Sequence, residues 1–140
     1  MINEISLYLP DKPGEFDRCL TALAEADVNV LAFSVDRAGP YSILKLICDD
    51  PHKAEEQLNK YAFGVSKTKV LAIPLPHRPG QLRKVTEVLA SHRINVDYGY
   101  LTLRPKNNTA IVLLKTNNDK VARRILRRKG LRDLISIEQR

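Results

Sequence analysis

The sequence predicts an α+β protein built from two copies of one small module, each read as β-α-β-β-α-β. The stretch Leu9-Pro10-Asp11-Lys12-Pro13-Gly14 returns as Leu75-Pro76-His77-Arg78-Pro79-Gly80, 66 residues later, and a repeat of this kind decides the architecture before any single element does. Behind each copy runs an amphipathic helical pattern closed by Asp27-Val28-Asn29-Val30 or Arg93-Ile94-Asn95-Val96, and the segments after it follow in the same order. With right-handed crossovers each module is a split βαβ sandwich, four antiparallel strands with two helices on one face. The modules are placed at 1–69 and 70–140, with no glycine-serine linker between them.

Ile5, Leu7 and Leu9 alternate with Ser6 and Tyr8, the period-two pattern of a strand, over residues 4–9. Past the Pro-Gly pair, Phe16, Leu20, Leu23 and Ala24 lay one apolar stripe along a helix that stops near Ala26-Asp27. Glu15 and Asp17 fall in its first turn, where negative charge suits the helix dipole. Residues 28–36 are rich in β-branched side chains and read as a second strand; Ala38-Gly39-Pro40 reads as a turn, and 41–48 as a third strand. Val28, Val30 and Ala32 are assigned to one side of the second strand and Leu31, Phe33 and Val35 to the other. Both sets are apolar, so both faces of the sheet should be covered.

Asp49-Asp50-Pro51 caps a helix running to about residue 61. Residues 65–75 must supply both the last strand of the first module and the first strand of the second. The second module then repeats the order: a helix over 81–91 with Leu82, Val85, Val88 and Leu89 on one stripe, a strand over 94–103, a turn at 105–108 and a strand over 109–115. A helix over 119–129 and a short final strand over 134–137 complete it.

The repeated turn carries the chemistry. Proline fixes φ and suits the first helical turn, and glycine leaves the backbone bare. N–H groups at a helix N-terminus then face outward, where the dipole favours a carboxylate or phosphate. Pro-Gly also makes turns that bind nothing; what sets this pair apart is its duplication with polar residues at matched places.

Composition narrows the function. The 140 residues are 44% hydrophobic and 28% charged, as in soluble globular proteins. No apolar run approaches the roughly 20 residues of a membrane span, and Met1-Ile2-Asn3-Glu4 lacks the basic start and apolar core of a secretion signal, so a cytoplasmic protein is expected. Cys19 and Cys48 lie singly in apolar patterns and read as buried thiols. The net charge of +7 is concentrated late: residues 115–140 hold nine Lys or Arg against Asp119, Asp133 and Glu138. No Gly-x-Ser-x-Gly, no Cys-His pair at a known spacing and no glycine-rich phosphate loop occurs, so neither enzyme activity nor a metal or cofactor is expected.

The chain resembles a stand-alone tandem pair of ACT domains, a small-molecule-sensing regulatory module. The likeness rests on Leu7 through Gly14 with Leu23 through Val30, and on Ile73 through Gly80 with Leu89 through Val96. Each pair gives a polar residue, Pro-Gly, a helix and an asparagine between β-branched residues. The resemblance covers nearly the whole chain. It implies ferredoxin-like domains side by side, their sheets joined into one extended eight-stranded antiparallel sheet with helices on one face. It also implies an amino acid at the ACT-ACT interface, its carboxylate on the N–H groups of the turn. Carried over residue by residue, the ligand set is Asp11, Lys12, Pro13, Gly14 and Asn29 in the first module, and His77, Arg78, Pro79, Gly80 and Asn95 in the second. Asp11 can pair an ammonium, the His77 imidazole can accept or donate a hydrogen bond, and an asparagine amide both donates and accepts. Some members of the family carry histidine two residues before the polar turn position, where this chain has Leu9 and Leu75.

The apolar second face of the sheet predicts packing against another copy, hence a homodimer or higher homo-oligomer. Two readings stand beside the sensor. One is an interaction module without a ligand, docking on a partner enzyme or transcription regulator. The other is nucleic-acid binding through Arg123, Arg124, Arg127 and Arg128, which share a face of the last helix. Against it, no strand carries the Arg/Lys-Gly-Phe/Tyr motif of sheet-based RNA binders, and a charged helix face is ordinarily solvated. His52 and His92 fall on helix surfaces. Tyr98 and Tyr100 flank Gly99 in one strand, as in a pocket wall or sheet packing. Asn29 and Asn95 also suit a turn with unusual dihedrals.

Overall fold

A computed structural model describes residues 1–137. The elements in chain order are β1 (Ile2–Pro10), α1 (Glu15–Glu25), β2 (Val30–Ala38), β3 (Tyr41–Cys48), α2 (Pro51–Lys60), β4 (Val65–Pro76), α3 (Gln81–Ser91), β5 (Val96–Arg104), β6 (Thr109–Thr116) and α4 (Asp119–Arg128), with a single 3-10 turn at Pro105–Asn107. They form an α+β protein of two compact units. Asn3–Lys69 makes the first, and residues 70–137 together with Met1–Ile2 make the second.

In the first unit the strand order is β2-β3-β1-β4, and in the second β4-β6-β5. The β1–β3 and β2–β3 pairs, and the β4–β6 and β5–β6 pairs, are antiparallel. There are six strands among the described residues rather than the eight that two four-stranded modules would supply. The reason is economy of chain: β4 is one uninterrupted strand serving both units. Residues 134–137 form no strand; only the Leu134 N–H reaches across, to the Ala72 carbonyl at 2.7 Å.

Within each unit the helices cover one face of the sheet. Ile5, Leu7, Leu9, Leu44 and Leu46 pack under Leu23 of α1 and Leu58 of α2. Leu71, Ile73, Leu75, Val112 and Leu114 pack under Leu89 of α3 and Leu126 of α4. Cys19 and Cys48 lie in the first core, where burial pushes their thiols up to about 11 and about 12, so they stay protonated and inert. The opposite face differs from expectation. Ala72, Ile111 and Leu113 are already fully buried within the chain, so they need no second copy to leave water. Tyr98 and Tyr100 lie on that face and are half-buried, which is packing rather than an open pocket wall. On the first unit Tyr8 and Tyr41 remain exposed and meet edge to face, their centroids 6.5 Å apart.

The second strand of each unit begins two residues later than its β-branched run suggests. Val28 and Ile94 instead close the preceding helix: the Val28 N–H donates to Leu23 O and the Asp27 N–H to Ala24 O, both at 3.0 Å. Ile94 and Arg93 do the same to Leu89 and Ala90 at 2.9 and 3.0 Å. This is the Schellman closure, with an apolar residue just past a left-handed one. The left-handed residues are Asp27 (φ 57°) and Arg93 (φ 55°), so Asn29 and Asn95 are not the residues of unusual dihedral.

The face assignment along β2 also changes. One extra residue interrupts the register between Val30 and Ala32, as at a β-bulge, and a slip of one exchanges the two faces. Phe33 therefore stands opposite core Leu46, and Val35 opposite core Leu44; both lie on the helix side, while Ala32 lies on the other. The same slip between Val96 and Tyr98 puts Leu101 opposite core Val112.

Candidate ligand-binding turns

The two Pro-Gly stretches fold alike. The Glu15 N–H approaches Lys12 O at 3.4 Å and the Gln81 N–H approaches Arg78 O at 3.3 Å, closing four-residue turns. The glycine at the third place has φ 92°, ψ −15° at Gly14 and φ 83°, ψ −8° at Gly80. These are type II turns with proline at the second place. Pro13 and Pro79 thus precede the helix instead of sitting in its first turn, and the glycine is the N-cap. A Cβ at either glycine would meet nothing within 4 Å. Glycine is required there for its backbone, and the space above it is open.

Two N–H groups of each turn are already used: Asp11 donates to Pro40 O at 3.1 Å and Lys12 to Pro10 O at 2.9 Å, as His77 does to Asn108 O and Arg78 to Pro76 O, both at 2.9 Å. The donors left for a ligand are those of the first helical turn beyond Glu15 and Gln81, whose own N–H groups close the type II turns; these have no intrahelical acceptor. Here the helices divide into two kinds. Asp50 caps α2 by accepting from the Lys53 N–H, and Asn118 caps α4 by accepting from the Val121 N–H. Neither α1 nor α3 has a side-chain cap. The two helices behind Pro-Gly are the two left open, and Asp11 to Gly14 and His77 to Gly80 are all exposed.

The side chains around the open ends differ. Glu15 and Asp17 occupy the first turn of α1, and Glu15 lies 3.7 Å from Lys12 and 3.4 Å from Arg18. No acid stands in the first turn of α3; Arg78 precedes it and Arg83 and Lys84 follow. Arg37 on β2 pairs with Asp11 at 2.8 Å, a contact that sequence spacing could not show. Further along β2, Phe33 meets Phe16 of α1 at 5.7 Å between centroids. In the second unit the places of Asp11 and Arg37 are taken by His77 and Leu103, so that ion pair is replaced by an imidazole and an exposed aliphatic side chain.

Asn29 and Asn95 are not brought to these turns within their own units. Each lies at the far end of an 11-residue helix, about 16 Å of helix rise away. Their backbones are clamped: the Asn29 N–H donates to Asp49 Oδ1 at 2.9 Å and Asn29 O accepts from Asp49 N at 3.0 Å, while Asn95 and Asn117 repeat the exchange at 3.1 Å each way. Both side chains' residues are exposed. On α4, Arg123 donates to buried Asp133 at 3.0 Å, leaving Arg124, Arg127 and Arg128 as the exposed part of the basic face. No group of three His, Cys, Asp or Glu able to hold a metal occurs among the described residues, and no helix there is long and apolar enough to cross a membrane.

The architecture is that of paired ferredoxin-like units with an open helix end behind each repeated turn. Residues 1–138 match the ACT domain pair family, and the chain belongs to it. Among solved structures it is similar to a protein from Bacteroides thetaiotaomicron, at 28% identity over 95% of this chain and 91% of that one, with a TM-score of 0.88. The ligand-free regulatory subunit of aspartate kinase from Thermus thermophilus shares the fold at 16% identity, 90% and 91% coverage and a TM-score of 0.64. Aspartokinase alpha and beta subunits share it at 18% identity, 91% coverage of each chain and a TM-score of 0.62. No curated protein sequence matches the chain.

Proposed function

We propose that this ACT domain pair is a non-catalytic regulator that binds an amino acid through the Pro-Gly turns. The observation that supports this most directly is the division of its helices: α2 and α4 are capped by their own side chains, whereas α1 and α3 are left uncapped behind type II turns. A ligand carboxylate takes the free first-turn N–H groups, and turn side chains take the rest of the ligand. The α3 end is the stronger carboxylate site, because α1 already has Glu15 and Asp17 against its dipole. The turns are exposed in one chain, so a second copy covers them. Edge strands β2 and β5, with exposed Phe33, Val35, Leu101 and Leu103, are the surfaces for that homodimer. Ligand binding then favours one placement of protomers, which a partner enzyme or regulator reads. Two buried thiols fit a reducing, cytoplasmic setting.

A thermal-shift screen against the standard amino acids tests this, since a ligand that binds only the folded state stabilises it by about 2.7 kcal/mol at a hundredfold excess over Kd. A selective shift that is lost in His77→Ala or Arg78→Ala and kept in Asp11→Ala is the expected result. No shift with any amino acid at millimolar concentration would overturn the sensor.

A further inference from the structure

Internal duplication supplies a control for every position of the second unit, and one place differs sharply. A groove of about 400 Å³ between α3 and the end of α4 is lined by Lys84, Glu87, Val88, Ser91, Lys129 and Leu131. The first unit occupies the matching place with its own side chains. Arg18 there donates to Tyr61 O at 3.1 Å and lies over the Phe63 ring at 4.1 Å from its centroid, while the Tyr61 hydroxyl bonds to Glu25. The correspondence is structural: Arg18 and Lys84 stand four residues beyond Gly14 and Gly80, and Tyr61 and Lys129 are the C-cap residues of α2 and α4. Phe63 and Leu131 make the same closing hydrogen bonds, to Leu58 O at 3.0 Å and Leu126 O at 2.9 Å. At every plugging position the second unit has a smaller or more flexible group. Tyrosine becomes lysine, phenylalanine becomes leucine and glutamate becomes serine, so the plug is absent and a cavity stands in its place.

We propose that this groove is a second binding site, distinct from the Pro-Gly turns, for a small organic anion with an apolar body. Val88 and Leu131 supply an apolar floor. Lys84 and Lys129 supply positive charge from two sides, and no ion pair of either is found among the described residues. Glu87 is turned to Arg83 at 3.6 Å, which reduces its opposition to an anion. The Ser91 hydroxyl lines the groove, donating to Val88 O at 2.9 Å and lying 3.1 Å from His92 Nδ1, with a lone pair to spare. The volume lies in the lower part of the range of small-molecule sites. A zwitterion is a poor fit to two lysines, which separates this ligand class from an amino acid at the turns.

The test is a titration of the full chain with anilinonaphthalenesulfonate, an aromatic anion, followed by amide NMR. Saturable shifts should concentrate on Val88, Ser91, Lys129 and Leu131. Restoring the plug with Ser91→Glu, Lys129→Tyr and Leu131→Phe should weaken binding at least tenfold while the chain stays folded by melting temperature. Lys84→Glu, a surface change that leaves the core intact, should weaken it about tenfold as well. Absence of binding at millimolar probe, shifts centred on Tyr8 and Tyr41 or on the turns, or unchanged affinity in the plugged and Lys84→Glu variants would each overturn the proposal.

Discussion

The two Pro-Gly turns share a backbone and differ in charge. Gly14 and Gly80 agree within about 10° in φ and ψ, and the N–H groups of the two residues before each turn proline, Asp11-Lys12 and His77-Arg78, are used in the same way. Yet one turn is Asp11-Lys12 ahead of an acidic first turn, and the other is His77-Arg78 ahead of a first turn without acids. The contrast extends to the whole units. Residues 3–69 hold eight Lys or Arg against eleven Asp or Glu, while the remainder of the chain holds fifteen against five. Duplication preserved what the backbone requires and let the side chains diverge, so one repeated turn geometry carries two different charge settings.

That comparison can be broken most severely in the cores. Leu23 and Leu89 are matched, each about 1% exposed, and replacing either with alanine should cost about 3 kcal/mol in urea unfolding. Markedly unequal costs would show that the units do not share one packing scheme. Next come the turn glycines: Gly14→Ala and Gly80→Ala should each cost about 1–2 kcal/mol, because a Cβ has room there but left-handed φ disfavours it. Near-zero cost at either would mean that its turn relaxes readily. Ligand binding sharpens the comparison further. Arg78→Ala should weaken an amino-acid ligand about tenfold, or about 1.4 kcal/mol, and Lys12→Ala should change it by less than about twofold, as calorimetric titration would read; the reverse order would assign the main site to the first unit.

The smallest effect is a difference in pH response at the starts of α2 and α4, where Pro51 and Asp119 hold the same place. Burial pushes the Asp119 carboxyl up, but hydrogen bonds from Lys115 at 2.6 Å and from Thr116 N and Oγ1 at 2.9 and 2.7 Å outweigh it and hold the carboxyl below its ordinary value. A depressed folded pKa stabilises above the unfolded pKa and is lost as pH falls through the folded value. The stability gap between the parent chain and Asp119→Asn should therefore be constant from about pH 7 to 5 and narrow below about pH 4. A gap independent of pH would remove the carboxylate from that account.

Much of this was legible locally. Helix starts at α1, α2 and α3 followed from Pro-Gly and Asp50-Pro51, and the helical stripes identified Leu23 and Leu89 as core. The expected ligand set separates in the structure. Asp11 to Gly14 and His77 to Gly80 each form one turn, whereas Asn29 and Asn95 go to the other end of the helix, since a strand parallel to β1 must start where β1 starts. Arg37 was missed because its pairing with Asp11 depends on β2 returning beside the turn. Val30 and Ala32 share one side in a simple alternation, yet they fall on opposite faces because a single extra residue in β2 inverts the alternation without altering composition.

By itself the sequence determined the duplication, the order of elements and the dihedral demands of Gly14 and Gly80, because these depend on residues adjacent along the chain. The tertiary structure alone decided that β4 serves both units and that Tyr61 and Phe63 fill a place which Lys129 and Leu131 leave open. Those outcomes depend on which side chains meet across distances of tens of residues, and backbone periodicity carries no record of such meetings.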